Sequence, residues 1–428
     1  MTATWWEPLD EGLRDERSRV QADLVEQAWR ERGDEVVVDR DANGTAVSMY
    51  SPNRLLVRTE DAPQVYDALG LGRPGRPTSR LAGLTVVDLS DDPRSLDEIL
   101  DFLDGSLRVG IGTPDHVLHV SKTWCAPIEP APPTGGDTGA GGSAAFVPAG
   151  FNTDPDSDGR DRLVAVVDTG LLDDVVAEHG WLAGVTGEPE PATVGHYRDH
   201  GTFIAGVVRT YAPQAAVEVQ AVLTVGGTVY ESDMVNGLFD SMNLELVERR
   251  PDVISFSGGT CTRRDRPLKS FEVFYDEVLK PLEGATVLVA AAGNDGSADR
   301  FWPAAFRWAV GVGALDAQGS SRVGFSNFGP WVEVFAHGTD IVNAYPNGIY
   351  TYTEPPIGTP TADFTDGLAV WSGTSFATPM VAGLIAARMS LRGGTPRESA
   401  EALIQFAQGN PGPDGSPRLT SAVDARQS

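Results

Sequence analysis

The run Leu163-Val164-Ala165-Val166-Val167-Asp168-Thr169-Gly170 decides how this chain folds. Five consecutive apolar residues, three of them valine, suit a short strand covered on both faces. The run stops abruptly at an acid, a hydroxyl and a glycine, the residues of a tight exit. Four similar runs follow, at 217–223, 253–256, 286–292 and 310–314, with helical stretches at 232–248 and 268–282 between them. Apolar runs alternating with helices predict an α/β fold, a doubly wound, mainly parallel sheet with helices on both faces. Active side chains in such sheets gather at the carboxyl ends of the strands, where Asp168 stands.

Towards the N-terminus the pattern differs. A charged stretch with few breakers predicts a helix over 10–32, and Leu55-Leu56-Val57 marks a strand over 53–59. A short helix over 61–69, a Gly- and Pro-rich loop over 70–77 and a strand over 84–89 come next. Leu96, Ile99, Leu100 and Leu103 have helical spacing, with Ser90 or Asp91 as the expected cap. A last strand is expected over 117–120. These elements make a small α+β domain at 1–125. The stretch 126–150 holds Pro127, Pro130, Pro132 and Pro133, then Gly135, Gly136, Gly139, Gly141 and Gly142. It buries too little apolar surface to offset its ordering entropy and reads as a linker before a second domain at 151–428.

The chain has 428 residues, 41% of them apolar, enough for a substantial core. Thirty-three Lys and Arg face 60 Asp and Glu, a formal charge of −27. That disfavours sequence-independent nucleic-acid binding and docking on an anionic membrane, so neither is expected as a partner. No apolar stretch approaches the ~18 residues of a membrane span. The first residues, Met-Thr-Ala-Thr-Trp-Trp-Glu-Pro, lack a basic segment followed by an apolar one, so a cytoplasmic protein is expected. Cys125 and Cys261 read as two thiols in a reducing compartment, although one disulfide between them is conceivable.

Four positions carry chemistry: Asp168 after the first run, His200 in His200-Gly201-Thr202-Phe203-Ile204-Ala205-Gly206, Asn294 in Ala291-Ala292-Gly293-Asn294, and Ser375 in Ser372-Gly373-Thr374-Ser375. Acyl transfer needs a nucleophile with an adjacent base, a carboxylate to orient that base, and a donor for the oxyanion. The chain supplies one of each. Singly, each residue has an ordinary structural explanation: a turn acid, a histidine beside glycine, an Asn-Asp-Gly turn, a helix cap. Their joint occurrence changes the reading. His196 and His200 are four apart, but Tyr197 stands where a zinc-peptidase motif has glutamate, so no metal is expected there. Position 377 is Ala, which disfavours a Gly-x-Ser-x-Gly elbow.

In this order the four segments resemble the subtilisin family of serine peptidases, over about 160–425. The resemblance implies a serine endopeptidase acting on protein or peptide substrates without a cofactor. Ser375 would be the nucleophile, His200 its base, Asp168 the orienting acid and Asn294 the oxyanion donor. Ser257, Gly258 and Gly259 would form one substrate-pairing edge and Gly226 and Gly227 the opposite one. Ala292 and Gly293 would also contact substrate, and Phe301 or Trp302, just before Pro303-Ala304, would floor a short first pocket. Phe203 and Met380 replace histidines common in the family, and Val207–Pro213 lacks its calcium loop, so no calcium is expected there. The acidic stretch 154–161 reads as solvated loop. The N-terminal domain resembles a pro-region, an intramolecular inhibitor and folding aid in a self-processing zymogen, with the cut expected in 126–150. Rival readings are a permanent recognition domain there, a regulatory peptidase that cuts only itself or one partner, and a non-catalytic peptide-binding module.

Overall fold

A computed structural model describes residues 11–42, 44–120, 129–133, 146–245, 247–353 and 360–428. Cys125 and most of the 126–150 linker lie outside the described residues. The first unit contains α1 (Glu11–Arg32), β1 (Val37–Arg40), β2 (Ala46–Arg58), α2 (Ala62–Leu69), β3 (Leu84–Asp88), α3 (Leu96–Ser106) and β4 (Gly112–Val120). The body begins with β5 (Leu163–Asp168), α4 (Asp173–Glu178), β6 (Thr186–Gly187), α5 (His200–Tyr211), β7 (Ala216–Ala221) and β8 (Thr228–Tyr230). It continues with α6 (Glu231–Met242), β9 (Val253–Phe256), β10 (Gly258–Gly259), α7 (Lys269–Phe274), β11 (Val287–Ala291), β12 (Val310–Leu315) and β13 (Val334–His337). It ends with β14 (Ile341–Ala344), β15 (Gly348–Thr351), β16 (Thr361–Phe364), β17 (Leu368–Trp371), α8 (Thr374–Arg392), α9 (Pro396–Gly409) and β18 (Arg418–Leu419).

The central sheet has eight strands in the order β18-β13-β12-β11-β9-β5-β7-β6, every pairing parallel. Strands β9, β11 and β12 are buried from end to end and β5 in all but Leu163, which is why they read as unbroken apolar runs. Several boundaries differ from expectation. The helix expected over 232–248 stops at Met242, and α7 gives way after Phe274 to a widened turn over Tyr275–Leu279. Ser95, not Ser90 or Asp91, caps α3. Its hydroxyl accepts the Glu98 N–H at 3.3 Å while the Glu98 carboxylate accepts the Ser95 N–H at 2.8 Å.

A second, six-stranded sheet belongs to neither unit alone. Its order is β1-β2-β4-β10, with β3 on β2 and β8 on β4, all antiparallel. Alternation along β2 sends Leu55 and Val57 to one face, where Val65, Ile99, Leu100 and Leu103 from α2 and α3 cover them. Leu56 faces the other way and joins Leu118, Met234, Leu238, Phe271 and Phe274, so this sheet lies on α6 and α7 of the body. Helix α1 reaches the body as well. Trp29 Nε1 donates to Thr228 Oγ1 at 2.8 Å, and its ring is 4.3 Å from that of Tyr230.

The contact between units is also ionic. Arg263, after β10, pairs with Asp39 and Asp97; Arg264 pairs with Asp101 and Asp104, and Arg266 with Asp104 at 2.6 Å. Beneath this rim, Asp115 and His116 of β4 meet Glu231 of α6, all three without exposure. Asp115 accepts the Ser232 N–H at 3.0 Å and its hydroxyl at 2.7 Å, and Ser270 donates to Glu231 at 3.0 Å. The Arg263 N–H donates to His116 Nε2 at 3.2 Å, which leaves the ring proton on Nδ1, facing Glu231 at 3.5 Å. Burial, with the Glu231 carboxyl beside it, pushes Asp115 up to about 7. Burial also pushes Glu231 up to about 8 and His116 down to about 4.

These shifts give the fold a pH dependence of definite sign. The two carboxyls keep protons that the unfolded chain loses, a stabilisation present at acid pH and withdrawn as pH rises towards 7 and 8. His116 acts oppositely: its contribution is present above its ordinary 6.5 and lost as pH falls towards 4. Of these three groups, above pH 6.5 mainly the carboxyls are changing, and the melting temperature of the full chain should fall between pH 6.5 and 8. Glu231→Gln, which cannot ionise, should flatten that fall; melts with the wild-type slope would remove Glu231 from the account.

Candidate active site

Asp168 is the last residue of β5, His200 the first of α5 and Ser375 the second of α8. Asn294 follows β11. The winding of the sheet brings Asp168 against His200, and Asn294 against the start of the Ser375 helix. His200 Nδ1 and Asp168 Oδ1 are 2.7 Å apart, with the carboxylate necessarily accepting. Asp168 Oδ1 also accepts the Thr169 N–H at 2.8 Å, so backbone and imidazole fix the same oxygen. The His200 ring packs 5.3 Å from Trp371 and 5.4 Å from Phe376, the residues that bracket the serine segment. Asp168, His200 and Ser375 are all buried.

Helix α8 delivers Ser375 by a specific device. Pro379 sits inside the helix and has no N–H to give the carbonyl four residues back. That carbonyl belongs to Ser375, and the Ser257 hydroxyl donates to it at 2.8 Å. Ser375 Oγ in turn donates to the Ser257 carbonyl at 3.3 Å. The Asn294 Oδ1 accepts the Thr374 N–H at 2.8 Å, which turns its amide N–H₂ to the Gly373 side. The Asn294 amide thus stands beside the N-terminus of the Ser375 helix.

Two glycines permit the approach of these elements. A Cβ at Gly170 (φ +115°) would stand 2.6 Å from Glu190 Cα, and one at Gly201 would stand 2.4 Å from the Gly170 carbonyl oxygen. Of the remaining expected positions, Gly258 and Gly259 lie on β10 and Gly226 and Gly227 just before β8, the two edges of a groove that β4 fills. Ser257 leads into β10, and the β8 hairpin begins at Gly226 and Gly227, both with positive φ. Phe301 is fully buried. Its ring would be 2.5 Å from a Cβ at Gly259 and 3.0 Å from one at Gly293, so it is wedged between the β10 edge and the segment Ala292-Gly293. His196 is not on the helix of His200. It belongs to a short 3₁₀ stretch ending at Tyr197, with Arg198 and Asp199 intervening, and it packs 4.3 Å from the Tyr197 ring.

The groove holds part of the chain itself. Strand β4 pairs along Val117–His119 with β8 and along His119–Val120 with β10, and the Val120 N–H donates to the Gly227 carbonyl at 2.9 Å. Leu118 and Val120 are buried.

Two acids behind the site went unread in the sequence. Glu190 Oε2 accepts the Thr169 hydroxyl at 2.9 Å and the Asp199 N–H at 2.8 Å, while Thr169 Oγ1 accepts the Gly201 N–H at 3.0 Å. One carboxylate therefore stitches the turn after Asp168 to the start of the His200 helix. Asp199 is fully buried with φ +69°, a left-handed position that Asp tolerates better than most residues. Burial, with Glu190 close by, pushes its carboxyl well above the usual range, and burial pushes Glu190 up to about 7. Asp199 had a weak signal, a short polar side chain immediately before His200; Glu190 had none.

The sequence profile of the subtilase family matches residues 159–420. The chain belongs to the subtilase family. It is 32% identical over 227 residues to Subtilisin-like protease 9 of Arthroderma otae, covering 51% of this chain and 50% of that protein. It is 30% identical over 219 residues to the thermophilic serine proteinase of Bacillus sp. strain AK1, covering 49% and 47%. The chain thus spans about half the length of these curated relatives. Fervidolysin from Fervidobacterium pennivorans superposes with a TM-score of 0.60 over 89% of this chain and 61% of its own, at 18% identity, a likeness of fold.

Removing the Glu190 carboxylate should strand two buried donors. Glu190→Ala is expected to cost about 1–3 kcal/mol in chemical denaturation, and Glu190→Gln, which keeps an acceptor, much less. Equal losses in the two variants would assign the effect to packing instead.

Proposed function

We propose that this chain is a serine endopeptidase. Ser375 attacks the peptide carbonyl, His200 takes its proton and returns it to the leaving amine, and Asp168 holds the imidazole with Nδ1 protonated. Asn294 and the N-terminus of α8 donate to the oxyanion. The observation that carries this reading is the 2.7 Å contact between Asp168 and His200, made where the His200 ring packs beside the Ser375 segment. A fluorophosphonate probe should label the wild type and not Ser375→Ala. Asn294→Ala should lower kcat by about 10²–10³. Labelling of the Ser375→Ala chain would sink the assignment.

We further propose that the enzyme processes itself and that residues up to Val120 act as an intramolecular inhibitor until then. The support is the occupancy of the groove: β4 is held by backbone on both edges, as an extended peptide would be. From this register we propose a cut in the residues that follow Val120, ahead of the expected 126–150. Wild type should yield a new N-terminus between Val120 and Glu129, and Ser375→Ala should remain intact; an uncut wild type would leave the unit as a permanent recognition domain.

The wedged Phe301 ring shortens the first specificity pocket. A peptide library should therefore show small P1 residues such as Ala ahead of Phe. A profile led by large aromatics would remove Phe301 from the pocket floor.

A further inference from the structure

Glu129 stands just before Pro130, and its side chain is buried at 7% exposure. A carboxylate leaves water at a cost that only good donors offset. Its Oε1 accepts the Thr353 N–H at 2.7 Å and the Thr353 hydroxyl at 2.8 Å, with the Tyr350 hydroxyl 3.3 Å away. The neighbouring backbone is held too. Tyr352 donates its hydroxyl to the Pro130 carbonyl at 3.1 Å. Ala131 makes an antiparallel bridge with Val370 of β17: its N–H donates at 3.0 Å and its carbonyl accepts at 2.8 Å. Tyr352 registers the acid, since burial and the Glu129 charge push its phenol up to about 12.

The position matters more than the pocket. Val370 is five residues ahead of Ser375, and Trp371, next to it, packs on the His200 ring. Val120, for its part, faces Gly258, the neighbour of the Ser257 whose carbonyl receives the Ser375 hydroxyl. The chain is thus pinned at Val120 and again at Glu129–Ala131, each against an element next to the Ser375 segment, with eight residues between Val120 and Glu129.

We propose that the Tyr350–Thr353 face and the edge of β17 form a docking site for an acidic, extended peptide, filled in cis by Glu129–Ala131, and that Glu129 is a positioning residue for self-cleavage. The recognition is a fork of N–H and O–H on one carboxylate plus two ladder bonds on the adjoining backbone. Holding both flanks of the bond converts cleavage into a reaction of a pre-oriented chain, an advantage that short peptides cut in trans do not share. This inference rests on the self-processing reading above.

The test compares the full-length wild type with Glu129→Ala, Glu129→Gln and Thr353→Val, following loss of the intact chain by mass spectrometry. The matured enzymes are then assayed on a short peptide that ends before the docking site. Self-cleavage should slow about tenfold in Glu129→Ala, with Gln partly rescuing and Thr353→Val intermediate, while kcat and KM on the short peptide stay within about twofold of wild type. Unchanged self-cleavage in all three variants overturns the positioning role, and so does an equal loss in self-cleavage and short-peptide turnover, which marks a structural defect. A wild type that never cuts itself sinks the self-processing reading, and this proposal with it; a wild type that cuts beside variants that cut equally well sinks this proposal alone.

Discussion

Strand β4 is the hinge of the architecture. Its first half pairs with β2 of the N-terminal unit and its second half with β8 and β10 of the body. Every backbone group it buries must find a partner, and the two edges of the groove supply them. The ladder sets the register of the unit against the body, and the apolar side chains of α6 and α7 can then cover Leu56 and Leu118. A slip of one residue would send Leu118 to the opposite face of the strand. The position of the unit, the filling of the groove and the burial of Asp115 and His116 follow from this pairing.

The rim of that contact shows how a strongly acidic chain uses its few cations. Arg263, Arg264 and Arg266 converge on Asp39, Asp97, Asp101 and Asp104. Exposed pairs of this kind stabilise little one at a time, but these share partners and also orient backbone, since the Arg263 N–H serves His116. Inside the site the logic reverses. Glu190 and Asp199 add acids beside Asp168, and burial keeps them from ionising as ordinary surface carboxyls do.

The body was legible because a parallel sheet covered on both faces writes itself as continuous apolar runs, and β5, β9, β11 and β12 lie where such runs stand. The short antiparallel pairs β14 with β17 and β15 with β16 have no such signature and went unread. So did β1 and the first half of β2, and β4 was expected only from residue 117. Its start, Gly112-Thr113-Pro114-Asp115-His116, looks like loop, and only tertiary contacts account for polar residues buried there. The four residues with chemistry stood out because each lies in a dense local motif. Glu190, Ser257 in its role towards the Ser375 carbonyl, and Glu129 act through partners distant in sequence, and pattern alone carries no trace of such partners.

The outermost strands of the central sheet, β6 and β18, are each only two residues long. A neighbouring molecule that offered a strand to either border would find almost no ladder to join. A sheet this apolar can therefore stay discrete at high concentration, its growth ended by the brevity of its flanks.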